Sequence, residues 1–160
     1  VLESVEESLT ALVGGDRGMP HLTIRALATG ALPLPVGDDR LHVMGLLALG
    51  AAELGDPATA EAVLARLAPY AGLSCGVGYR SYVGPATLHL GRLSGLAGDW
   101  TAAERHLSAA LPELADRGAR PWLALAQASL AQVLLDRGRP GDQRYAEALR
   151  REAEQSRESS

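Results

Sequence analysis

Four histidines, one cysteine and a Gly-rich run carrying two tyrosines and an arginine are the side chains of this chain that could do chemistry. Their spacing assigns them little of it. His21, His42, His89 and His106 are spread over four predicted helices, and no two stand four residues apart beside a carboxylate, as a helical zinc site requires. His89 and His106 share one predicted hairpin and could approach each other, but a capped or surface imidazole fits both better. The single cysteine, Cys75, excludes an intramolecular disulfide and is too little for a cysteine-rich zinc site. With no His or Asp beside it to generate a thiolate, it reads as a small buried hydrophobe. Ser74, Ser81 and Asp99 form no nucleophile elbow. No GxxxxGK[ST] phosphate loop is present, and the Gly-rich stretch 72–84 lacks the Lys that phosphate binding needs. Glu6 and Glu7 fall early in a predicted helix, where they complement its dipole. No catalytic residue, metal or cofactor is expected.

Tyr79, Arg80 and Tyr82 are candidates of another kind, because aromatic and Arg side chains are common interface anchors. They lie in LSCGVGYRSYVG, residues 73–84, read as a Gly-rich connection between helical hairpins. Either the tyrosine rings cover that junction or the three residues contact a ligand. Trp100, just after a Gly-Asp turn, is expected to pack across it, and Trp122, at a helix start, to wedge against the preceding hairpin.

The elements that must position these residues are helical. Leu2, Val5, Leu9, Leu12 and Val13 follow helical spacing over residues 2–13, and Gly14-Gly15 ends that helix. A short helix runs from Pro20 to about Thr29, before Gly30, Pro33 and Pro35 enforce an extended linker. Asp38 or Asp39 caps a helix to Leu54, and Gly55-Asp56-Pro57 supplies a terminator, an N-cap and a first-turn proline for the next. A helix from Ala86 to Ala97, the Gly98-Asp99 turn and a helix from Trp100 to Asp116 repeat that arrangement, with Pro112 expected to bend or shorten the last turns. Pro121 opens a long helix to Asp136, and residues 143–156 form a final amphipathic one.

Composition agrees with this architecture. At 160 residues the chain can bury about 70% of the surface its unfolded form exposes, enough for one domain. It is 47% hydrophobic but 4% aromatic with no Phe, so its interior is built from Leu, Ala and Val. All 15 basic residues are Arg, Asn is absent and Ile24 is the one isoleucine, which looks like the codon bias of a GC-rich bacterial genome. A net charge of -4 without a basic tract argues against a nucleic-acid surface. Arg150 and Arg151 stand in i,i+4 pairs with Glu154 and Glu147 and read as a solvated face. No apolar run approaches a membrane span and no signal peptide begins the chain, so a cytoplasmic location is expected. A start at Val1 inside a helical pattern predicts a piece of a larger protein.

One block recurs three times. Leu47-Ala48, Leu90-Gly91 and Leu130-Ala131 are each followed, eight residues after the Leu, by Gly55, Gly98 and Gly138, and then by Ala60, Ala103 and Ala146. A period near 40 residues predicts stacked helical hairpins, since one hairpin cannot bury its apolar face alone. Leu90, Gly91, Ala103, Leu107 and Ala110 resemble the tetratricopeptide repeat, in which small residues let paired helices approach and a large one fills the groove between them. Leu67 replaces the last Ala in the first hairpin. In the third, Arg150 takes the large apolar place and Leu149 substitutes for it. Over residues 38–155, LAPYAG, GPATLHLGRLSGLAGDWTAAERHLSAAL and GARPWLALAQASLAQVLLDRGRPGD look like the helical C-terminal region of bacterial multidomain signalling ATPases. These include LuxR-type, MalT-like transcriptional regulators and ATPase-coupled nucleotide cyclases.

The resemblance implies an all-α fold, a short right-handed α-solenoid of tetratricopeptide-like hairpins at 39–72, 85–118 and 121–157. Residues 1–37 would be a degenerate repeat or cap. It also implies a non-catalytic regulatory module whose partner is a protein, a peptide or a neighbouring domain. In such arrays the first helices of successive hairpins line a groove. Leu49, Arg92 and Gln132 are equivalent there, with His42, Leu88 and Leu125 one to two turns earlier, and Arg92 would hold a ligand carboxylate. The alternative is an oligomerisation module forming a homodimer through residues 2–12 or the last helix.

Overall fold

The computed structural model describes residues 18–37, 39–77 and 81–158, and most of them are helical. The expected helix at 2–13 lies outside this range. Helix α1 (Gly18–Thr29) precedes three helical pairs: α2 (Asp39–Leu54) with α3 (Pro57–Leu67), α4 (Ala86–Leu96) with α5 (Trp100–Asp116), and α6 (Arg120–Arg137) with α7 (Asp142–Glu158). Each turn has a local cause. The Asp56 carboxylate accepts the Thr59 backbone N–H at 3.2 Å and Pro57 follows it, while the Asp99 carboxylate accepts the Ala102 N–H at 2.9 Å. Gly138 ends α6 in the left-handed conformation, φ 65°. Helix α5 continues through Pro112 to Asp116, so the proline does not shorten it.

The all-α expectation holds, with one small two-stranded sheet added. Residues read as a Gly-rich connection form a β-hairpin, β1 (Ser74–Val77) and β2 (Ser81–Pro85), antiparallel with Gly76 opposite Tyr82 and an irregularity between Ser74 and Gly76. The hairpin lies across α2 at Gly45, where a Cβ would sit 2.6 Å from Val83 Cγ2 and 2.7 Å from Cys75 Cβ. Only glycine allows strand and helix to meet this closely.

Along the chain, α3 packs on α2 and α4, α5 on α4 and α6, and α7 on α6. Two apolar cores result. The first joins α1, α2, α3, the hairpin and one side of α4 through Ile24, Leu27, Met44, Leu47, Val63 and Leu90. The second joins α4 to α7 through Leu88, Leu107, Leu130, Leu134 and Leu149. Leu149 is buried and Arg150 exposed, as expected for the third hairpin. Gly91 is in direct opposition to Leu107: a Cβ on it would lie 2.5 Å from Leu107 Cγ. Among the described residues, no helix is long and apolar enough to cross a membrane.

Candidate binding groove

Helices α2, α4 and α6, the first of each pair, leave between them a groove of about 210 Å³. Its apolar side is Ala52, Gly95, Leu96 and Val133, and Trp100, the first residue of α5, forms a wall. Arg92, Ser129, Gln132 and Asp136 supply the polar groups. Gly95 sets the depth, because a Cβ there would press on Val133 Cγ2 at 3.1 Å.

The polar groups are arranged by partners within the chain. Arg92 Nη2 donates to Glu53 Oε1 at 3.2 Å, with the Arg side chain 14% exposed and the Glu 56%. Burial lowers the Arg92 pKa and the Glu53 carboxylate opposes that shift. Gln132 Nε2 donates to Asp136 Oδ1 at 2.7 Å, fixing one carboxylate oxygen on the groove rim. No protein-family model, curated protein or solved structure matches this chain. What the groove can do must therefore be read from its own residues.

The structure brings together two of the six groove residues expected from sequence, Arg92 and Gln132, and corrects the others. His42 and Leu88 are buried, 2% and 0% exposed, and cannot touch a ligand. His42 lies one turn from Gly45, on the face of α2 that the β-hairpin covers. Leu88 points into the second core instead of the groove. Leu49 is half-buried against the first core and Leu125 against the second, and neither lines the groove. Ala52, one turn beyond Leu49, lines the groove in its place. Trp100 and Asp136 were missed as groove residues. Their signal was positional: Asp136 is equivalent to Leu96 in the 40-residue repeat, and Trp100 immediately follows the Gly98-Asp99 turn beside Leu96.

Tyr79 and Arg80 lie outside the described residues. Tyr82 lies on β2, where the β-hairpin meets the helices. Its ring meets Trp122 edge-on at 6.4 Å, and Arg117 stacks over it at 5.7 Å. Trp122 wedges against the preceding pair, also meeting His89 at 6.4 Å. His89 is buried, and its Nε2 donates to the Val83 carbonyl at 2.6 Å, which fixes the neutral tautomer. Burial, with Arg92 nearby, holds its pKa down to about 4. His106 stands apart, half-exposed beside Arg105. Cys75 is fully buried and its thiol is pushed up to about 12 by desolvation, so it packs as a hydrophobe. Ser74 donates to Glu113 at 3.3 Å, tying the hairpin to α5.

Proposed function

We propose that this chain is a non-catalytic interaction module that holds a peptide or a neighbouring protein segment in the groove between α2, α4 and α6. The observation that carries the reading is the convergence of first helices from three successive pairs on one concavity with an apolar floor, an aromatic wall and fixed polar groups. On this reading the pairs stack as a tetratricopeptide-like, right-handed α-solenoid. The resemblance to the helical regions of bacterial signalling ATPases and LuxR-type regulators supports a regulatory role in such a protein, in the cytoplasm. The buried, protonated thiol of Cys75 and the buried, neutral imidazole of His89 are poor nucleophile and base, which supports a role without catalysis.

Panning a phage-displayed random peptide library on the immobilised chain tests this. Ser129→Tyr fills the groove from a half-buried position and serves as the counter-target. Peptides retained by the parent and lost by that variant, with unchanged far-UV circular dichroism, are the expected result. No enrichment, or equal retention by both proteins, would overturn it. Self-association through the last helix has less support, since Ala146, Leu149 and Ala153 of α7 are already buried in the chain.

A further inference from the structure

Resting on the peptide-groove reading, we infer that the occupant presents a cation, an Arg or Lys side chain of a peptide, to Asp136 and Trp100. Arg92 is the positive group of the groove, but Glu53 already neutralises it. Asp136 has no cationic partner among the described residues; its hydrogen bond comes from the neutral amide of Gln132. The groove therefore carries one uncompensated negative charge. That carboxylate shares the groove lining with the Trp100 indole, and carboxylate and indole together suit an ammonium or guanidinium group. Leu96 and Val133 supply apolar lining of the same groove, along which the aliphatic stem of such a side chain can run. The overall charge of -4 attracts a basic partner at long range as well. Charge complementarity thus points away from the acidic ligand that Arg92 suggests by residue type alone.

Three N-acetylated, C-amidated peptides of alternating Leu and Ser, differing only in a central Arg, Glu or Gln, test the inference on the full chain. The readout is the indole N–H resonance of Trp100, assigned with Trp100→Phe. The Arg peptide is expected to shift that resonance saturably, and Asp136→Asn to weaken it about fivefold. Gln132→Glu, which adds a charge at an exposed position, should tighten it, a gain that misfolding cannot produce. A Glu or Gln peptide that binds as well as the Arg peptide overturns the cation preference while leaving the peptide groove intact. Failure of all three probes to move Trp100, or no response to Asp136→Asn, also overturns it. Dimerisation of the chain that Asp136→Asn abolishes, without Arg-peptide binding, would make a second copy the occupant and overturn it too.

Discussion

At Gly91, helix α4 meets the backbone and side chain of Leu107 on α5: a Cβ would stand 2.5 Å from Leu107 Cγ and 3.0 Å from Leu107 N. A flexible side-chain tip could yield, but a helix backbone in the second core cannot. Replacing Gly by Ala in a helix contributes about 1 kcal/mol through backbone entropy. Overpacking costs about 1–3 kcal/mol, and with backbone involved it lies toward the upper end. Gly91→Ala is therefore expected to lower stability by roughly 1–2 kcal/mol. Gly95→Ala provides the contrast, because its Cβ meets mainly Val133 Cγ2 at 3.1 Å and helix propensity offsets the contact. That variant should stay within about 0.5 kcal/mol of the parent. Urea midpoints for the two variants decide the matter; similar values would mean that close approach at Gly91 is not what the glycine is for. The pairing of Gly91 with Leu107 was legible in the sequence because small and large residues there alternate at fixed offsets. The close approach at Gly45 was not, since its partners Cys75 and Val83 belong to a β-hairpin far along the chain that no helical period marks.

At the scale of elements, the α6–α7 turn is held by ions as well as by Gly138. Arg137 donates through Nε and Nη2 to both oxygens of Asp142, at 2.9 and 2.8 Å, and through Nη1 to Glu104 on α5. The Arg139 backbone N–H adds a fourth bond, to Asp142 at 2.9 Å. The Arg137 hydrogen bonds are the main cause that holds the Asp142 pKa at about 2. An unfolded Asp titrates near 3.9. The folded carboxylate thus binds its proton less readily, so its contribution is complete above about pH 4 and is lost as pH falls from there through about 2. The stability difference between the parent and Asp142→Asn should be constant from pH 7 to 5 and shrink below pH 4. Parallel stability curves across that range would show that the clamp is not coupled to the fold. Nothing in the sequence marks this triad, because Glu104 is distant in the chain and meets Arg137 only when α5 packs on α6. The helix ends, by contrast, were legible from Gly-Asp-Pro and Gly-Asp signals. The β-hairpin was not: glycines dominate residues 72–84, and the strand-favouring Cys75, Val77, Tyr82 and Val83 are too few to outweigh them. Missing the hairpin is also why His42 was assigned to a groove, since the hairpin buries that face of α2.

For the whole molecule, the question is how two cores act as one. Helix α4 contributes Leu90 and Leu93 to the first and Leu88 to the second, and Trp122 of α6 packs against both. Trp122 also joins Tyr82 of the hairpin to His89 of α4 and lies 3.4 Å from where a Cβ on Gly84 would be. In an array whose units touch only their neighbours, cooperative unfolding depends on such shared contacts. Truncating a buried aromatic costs about 3–5 kcal/mol, and half-exposed Trp122 belongs at the lower end. Much of that loss falls on the coupling between cores rather than on either core. The parent should unfold in urea in one transition, with the fluorescence of Trp100 and Trp122 together and the far-UV signal of all helices coincident; in Trp122→Ala the fluorescence reports Trp100 alone, packed against the second core. Trp122→Ala should separate them, the two probes giving different midpoints. Coincident, merely shifted curves for the variant would mean that α4 alone carries the coupling and that Trp122 is ordinary core.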